Sequence, residues 1–356
     1  MKRHSDRGTT TVKKVAQQVD PEAQIAFLRK ELFERAKTIK VLQNRLGSER
    51  EFAERVSAAI VAAEPFPLFH IRKSKKETKA VVACIKLSDW HIGERIRRNE
   101  TEGFGTFNYD IAEQRIFSIV EDFLKWVATQ RTAYVIDEIA VFGEGDYVSG
   151  DIHDELLATN EFPLPEQTAK AGLLLGEVVR RISGHAKRVS LFMVGADNHG
   201  RLRKKPQGKQ KTTNNMSYLV HTLAMSYLQQ CNNIHPTVAT GAKLLTVVNG
   251  FRILSEHGDA VKGWAGLPYY GFNRMIGKEA TRRMLTRKGF HYWSIGHFHV
   301  PSFIEGRTLV NGSLSGTSEF DHINGRHALP SQVAYLMHPV HGMFNMVPFT
   351  GRQGLA

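Results

Sequence analysis

The chain has 356 residues, room for one large domain or two modest ones, and its 42% hydrophobic and 23% charged residues exclude a fully disordered polymer. Lys and Arg number 48 against 35 Asp and Glu, a formal charge of +13 that points to a polyanionic partner, because basic side chains that neutralise phosphates gain affinity by releasing counterions. The two cysteines, Cys84 and Cys231, exclude a disulfide framework and suit a reducing compartment. No run approaches the roughly 20 apolar residues of a membrane span, and the basic N-terminus is followed by no apolar stretch, so a soluble, cytoplasmic protein without a membrane partner is expected.

Residues 1–19 are polar and aperiodic and read as a flexible basic arm. Residues 20–66 read as a helical extension. Asp20 is a candidate N-cap with Pro21 at the first helical position, and Ile25, Leu28, Leu32, Ile39, Leu42 and Leu46 follow at 3-4 spacing, with Arg35 at one seam position. Gly47-Ser48 is expected to end this run, and a second short helix, Arg50 to Ala63, leads into the boundary Glu64-Pro65-Phe66-Pro67. Such an extension packs on the main domain, pairs two copies in a homodimer, or recruits a partner protein.

Residues 80–356 alternate strand-like and helix-like segments. Strands are expected at 80–87, 138–142, 188–194, 244–248, 252–255, 292–295, 308–310, 332–337 and 342–347, and helices near 110–129, 165–183, 214–230 and 275–288. Asn249-Gly250 between two β-branched runs signals a tight hairpin. The order implies a layered α/β domain with a mixed sheet.

Asp, His and Asn gather where these strands end. The first strand runs into Ser88-Asp89-Trp90-His91, and in an extended segment residues i and i+2 face the same side, so Asp89 and His91 can share one metal ion. The next ends in Gly143-Glu144-Gly145-Asp146 and the third in Asp197-Asn198-His199-Gly200, while later strands lead into Glu256-His257-Gly258 and Gly296-His297-Phe298-His299. This set fits two ions, one held by Asp89, His91, Asp146 and His299, the other by Asp146, Asn198, His257 and His297, with the Asp146 carboxylate bridging. Nitrogen and oxygen ligands without thiolate suit two divalent cations, Mn first, with Fe or Zn as alternatives. Two ions about 3.5–4 Å apart can activate a water and clamp phosphoryl oxygens. His199 is placed to protonate the leaving oxygen as general acid.

This ordered set resembles the calcineurin-like metallophosphoesterases. Asp89 and His91 match the D-x-H block of that family, Gly145-Asp146 its G-D block, Asn198-His199 its G-N-H block, His257-Gly258 its single-His block, and His297 with His299 its G-H-x-H block, over roughly residues 80–315. The resemblance implies an αββα metallophosphoesterase sandwich, here with an N-terminal helical extension, and hydrolysis of a phosphoester by a metal-bound hydroxide. Asn311-Gly312-Ser313 looks like the family's closing turn and is expected to support the sheet. Two departures stand out: Ser149-Gly150 replace the usual acid-Arg pair after Gly-Asp, and Gly200 stands where an acid commonly follows the His, with Asp197 before Asn198 as a substitute supporting carboxylate.

The segment Arg201–Lys211 carries six basic residues in eleven, Arg201, Arg203, Lys204, Lys205, Lys209 and Lys211, and leaves directly from His199. It inclines the reading toward DNA and toward the branch of the family that contains DNA double-strand-break repair nucleases, including exonucleases. A phosphatase or cyclic-nucleotide phosphodiesterase for a small substrate, and a partner-binding protein with an inactive metal core, are the alternatives. His153, in the acidic insert after Asp146, is expected to support a ligand histidine by a hydrogen bond. Trp90, Tyr147 and Phe298, each adjacent to a ligand, are expected to pack the rim, with base stacking as the alternative, and Trp264, Tyr269 and Tyr270 are candidates for a loop capping the cleft.

Overall fold

A computed structural model describes residues 20–62, 79–262 and 268–351. The expected arm 1–19, the proline boundary 63–67 and Trp264 lie outside the described residues. The chain divides into two units, one containing a single helix and the other all remaining elements.

The first unit is helix α1, Pro21–Ala62, with the Asp20 carboxylate accepting from the Glu22 amide at 3.3 Å. It is continuous where two helices were expected. A glycine inside a helix costs about 1 kcal/mol, and exposed i,i+4 ion pairs give back about 0.3–0.5 kcal/mol each. Arg45–Glu49, Arg50–Glu54 and Arg55–Glu51 flank the glycine and offset most of that cost, so Gly47 does not break the helix. The seam residues Ile25, Leu28, Leu32, Ile39, Leu42 and Leu46 are 49–67% exposed.

In the second unit a six-stranded sheet has the order β11-β10-β1-β2-β3-β4, and a five-stranded sheet the order β5-β6-β7-β9-β8. Strands β1 (Val82–Leu87), β2 (Glu138–Gly143), β3 (Arg188–Met193) and β4 (Ile234–Val238) run parallel, β10 (Ser331–His338) pairs antiparallel with β1, and β11 (Gly342–Thr350) pairs antiparallel with β10. The second sheet holds β5 (Lys243–Val248), β6 (Phe251–Glu256), β7 (Tyr292–Ile295), β8 (Ser302–Ile304) and β9 (Thr308–Val310). The Asn249-Gly250 hairpin joins β5 to β6 as expected, with both residues at positive φ, 49° and 83°, as its tight turn requires.

Alternation along β1 sets the layers. Val82 and Cys84 point inward, where they join Ala140, Phe142, Ile253 and Leu309 in one apolar cluster between the sheets. Ala83, Ile85 and Leu87 point outward against Ile116 and Phe123 of α2 (Tyr109–Gln130) and Val178 of α4 (Leu164–Ser183). On the far side Phe272 of α6 (Tyr269–Met284) packs on Leu254 and Trp293. The result is the αββα sandwich expected from the sequence. The described helices also include α3 (Asp154–Thr159), α5 (Met216–Tyr227) and α7 (Glu319–Ile323), and none of them is long and apolar enough to cross a membrane.

Candidate metal centre

All seven expected ligands meet at the C-terminal ends of five strands, drawn from both sheets. Asp89 and His91 follow β1, Asp146 follows β2 and Asn198 follows β3, whereas His257 follows β6 and His297 and His299 follow β7. Ligand atoms of Asp89, His91 and His299 lie within 4.8 Å of one another, as do those of Asp146, His257 and His297, and those of His91, Asp146 and His199. Asp146 and His91 therefore each belong to two groups. Asn198 joins through its Oδ1, 2.9 Å from His257 Nε2.

The backbone is bent to make this convergence. Asp89, His91, Asp146, His297 and His299 all adopt positive φ, between 49° and 68°. Non-glycine residues rarely visit that region, and such strain persists where the surroundings enforce it, above all at functional sites. Asp89 is held from both oxygens: Oδ1 accepts from the His297 amide at 2.7 Å and Oδ2 from the Ser88 hydroxyl at 2.5 Å. Asn311 Nδ2 donates to Ser88 Oγ at 2.9 Å, and Asn311 Oδ1 accepts from the Val333 amide at 2.9 Å. The closing turn thus supports the sheet, as expected, and also orients Asp89 through Ser88.

Charge and tautomer show that the site fits a cation. His257 Nδ1 donates to the Glu144 carbonyl at 2.9 Å, which turns its Nε2 toward Asn198 Oδ1 and Asp146 Oδ2, both at 2.9 Å. Two acceptor oxygens thus converge on the His257 Nε2, and a positive charge between them, a proton on that nitrogen or a metal ion in its place, satisfies all three atoms. His91 Nε2 and His299 Nε2 face each other at 3.1 Å. Burial alone would lower His257 and raise Asp146, yet the attraction between them holds the imidazole well above and the carboxyl well below their usual ranges. Burial pushes His297 down to about 3 and His299 to about 4, and lowers His91, so these imidazoles are neutral and free to coordinate. The donor set suits divalent metal binding.

His199 is positioned by Ser149 and by the Asp146 carboxylate. Its Nδ1 donates to the Ser149 carbonyl at 2.7 Å, and its amide donates to Asp146 Oδ1 at 3.0 Å. A backbone carbonyl thereby does what a supporting acid would do, and it leaves Nε2 facing the site. Gly150, at φ +77°, is required there, because a Cβ would overlap the His199 carbonyl oxygen. Asp197 holds the turn around His199 and does not touch its ring: Oδ2 accepts from the Asp146 amide at 2.8 Å and Oδ1 from the Gly200 amide at 2.7 Å. His153 lies with its ring 6.0 Å from that of His199, is exposed, and makes no hydrogen bond to a ligand histidine among the described residues.

Two stacking candidates are excluded. Trp90 and Tyr147 are fully buried, edge to face with each other at 5.3 Å, and cannot receive a base. Phe298 is half-buried, packed on Phe272 at 4.9 Å. Tyr269 and Tyr270 open α6 and are exposed.

Sequence reasoning missed Lys86. Its fully buried ammonium pairs with Glu144 Oε2 at 2.9 Å and donates to the Ile295 and Leu309 carbonyls at 2.7 and 2.8 Å, tying β1 to β7 and β9 across the sandwich. A lysine at an inward position of an otherwise apolar strand was the available signal. The rim is also asymmetric. Burial together with Glu319 and Asp321 pushes Glu94 up to about 8, and Asp321 acts on His299, so this side is acidic, while the segment after His199 is basic.

No family model matches the chain, and no curated protein matches it. Similar solved structures include a predicted phosphoesterase from Streptococcus pneumoniae TIGR4, 14% identical, covering 50% of this chain and 90% of that one with a TM-score of 0.25. Vps29 complexed with zinc, from Entamoeba histolytica, is 14% identical over 75% of this chain and 99% of its own, with a TM-score of 0.28. Vacuolar protein sorting 29 from Cryptosporidium parvum is 13% identical over 76% and 98%, with a TM-score of 0.30. At these values the fold and the chemistry rest on the sheet order and the ligand geometry rather than on the likeness.

Proposed function

We propose that the chain is a binuclear metal-dependent phosphodiesterase acting on nucleic acid, DNA foremost, in the manner of the repair nucleases its motifs resemble. The observation that carries the reading is the convergence of seven buried or half-buried carboxylate, amide and imidazole groups, Asp146 among them, at the origin of a strongly basic segment. Asp89, His91, Asp146 and His299 would hold one divalent ion and Asp146, Asn198, His257 and His297 a second, Mn first, and bound there the pair would supply Lewis-acid polarisation of a phosphoryl oxygen and activation of water at neutral pH.

The residues around them do the rest. His199 carries its proton on Nδ1 against the Ser149 carbonyl, so the proton that it gives to the leaving oxygen is the one on Nε2. Asp197 holds the Asp146 and Gly200 amides and fixes the turn that presents Asn198 and His199. The acidic side near Glu319 and Asp321 repels a polyanion, which therefore approaches from the Arg201–Lys211 side.

His199→Ala is expected to lower kcat on bis-p-nitrophenyl phosphate by roughly 10²–10⁴-fold, the usual contribution of a general acid, while bound metal, read by elemental analysis, stays at the wild-type level. Loss of metal in that variant would make His199 a ligand instead. Incubation with Mn and single-stranded DNA, double-stranded DNA, RNA and a nucleotide panel separates a nuclease from a small-molecule phosphodiesterase.

A second reading concerns partners. The exposed seam of α1 favours pairing with a second copy or a partner helix, because a lone helix in water gains little from propensity and stabilises by burying an apolar face. Light scattering is expected to give twice the chain mass for the full protein and a monomer after deletion of residues 1–66. A monomeric full chain would exclude the homodimer.

A further inference from the structure

The six basic residues after His199 divide into two sets. Lys204 pairs with Asp154, Lys211 Nζ donates to both Asp259 oxygens at 2.8 and 2.7 Å, and the Arg201 guanidinium donates to the Arg203 and Lys204 carbonyls at 3.0 and 2.9 Å. These contacts brace the segment at both ends. Arg203, Lys205 and Lys209 are exposed and have no hydrogen bond or ion pair from their side chains among the described residues.

All three line one cavity of about 150 Å³. Arg201 and Lys211 also line it, with Asp197 and Asp259 as its carboxylates, so the lining has an excess of three positive charges. Neither acid is available to offset the free cations: Asp197 is buried and occupied by the Asp146 and Gly200 amides, and Asp259 is held by Lys211. Like charges gathered around so small a space repel, and an anion between them relieves the repulsion. Pockets for whole drug-sized ligands run to about 300–1,000 Å³, so this one suits a single group. It adjoins the reacting centre, because Asp197 precedes Asn198 and Asp259 lies two residues beyond His257.

We propose that this cavity is a phosphate subsite, held by Arg203, Lys205 and Lys209, that takes a second phosphate of the substrate, separate from the one cleaved. The proposal rests on the phosphodiesterase reading and narrows its substrate to nucleotide chains carrying at least two phosphates. A doubly phosphorylated dinucleotide meets both sites, whereas one with a single internal phosphate leaves the cavity empty.

The test compares TpT with pTpT and TpTp on the Mn-loaded full chain, with bis-p-nitrophenyl phosphate as a control for the metal centre. The expected result is a kcat/KM at least tenfold higher for pTpT or TpTp than for TpT, falling to within twofold in the Arg203→Ser/Lys205→Ser/Lys209→Ser variant. Equal rates on all three dinucleotides, with the control hydrolysed, would overturn the subsite, and a preference kept in the variant would overturn its assignment to these residues. Absence of control hydrolysis would instead refute the phosphodiesterase reading. Calorimetry on the metal-stripped full chain then decides the subsite alone: tighter binding of pTpT or TpTp than of TpT, lost in the variant, supports it, and equal binding refutes it.

Discussion

Asp146→Asn is expected to abolish metal-dependent hydrolysis of bis-p-nitrophenyl phosphate and to empty the centre of metal. Replacing an outer partner of a metal ligand typically costs about 10–100-fold, and Asp146 is more than an outer partner, since its carboxylate stands in two of the three donor groups. The loss in both turnover and affinity is therefore expected to exceed about 100-fold. The substitution removes charge while sparing the fold. Asp146 sits at φ 49°, a conformation that asparagine tolerates almost as well as aspartate, and an amide oxygen can still accept from the His199 backbone. Near-normal melting with lost metal, read by elemental analysis and thermal denaturation, is the expected pair of results. Metal content and turnover within twofold of wild type would sink the centre.

Lys86→Ala carries the largest expected effect on stability. Removing one partner of a buried ion pair strands the other charge and costs about 3–5 kcal/mol. Here the stranded group is Glu144, fully buried, whose Oε1 already lacks a hydrogen-bond partner, and the two carbonyls that the ammonium ties together lose their donor as well. Urea unfolding is expected to show that loss in the midpoint. Replacing both members by apolar residues of similar volume, Lys86→Met with Glu144→Leu, is expected to recover a large part of it, since no charge is left buried. A cost below about 1 kcal/mol for Lys86→Ala would mean that water reaches the pair. The variant also probes the centre, because the Glu144 carbonyl sets the tautomer of His257.

The ligands were legible in the sequence because each sits just beyond a strand whose apolar run is unmistakable, so chain order alone placed them on one edge. Elements without that pattern were not. Strand β4 contains Pro236 and exposed residues, which read as a loop; it survives as a strand because it is the edge of its sheet, where a missing amide donor costs no ladder bond. Strand β8 and helices α3 and α7 are too short to show a period. The N-terminal helix was cut at Gly47 because a glycine was weighed by itself and not against the ion pairs around it. Within the site, what escaped was backbone chemistry. Ser149 acts through its carbonyl, which any residue has, so its sequence identity carried no signal, and Trp90 and Tyr147 were read as rim residues because adjacency to a ligand says nothing about which way a ring turns.

The division of the donors between the two sheets has a consequence for how the molecule can be taken apart. Asp89, His91, Asp146 and Asn198 ride on one sheet, His257, His297 and His299 on the other, so neither layer by itself holds a complete set for either of the two proposed ions. The centre is a rivet through the sandwich, beside the strut that Lys86 already makes. Any slippage of one layer against the other is felt first as a change in the distances between Asp146 and His257, which turns the metal centre into a gauge of whether the two halves of the fold are in register.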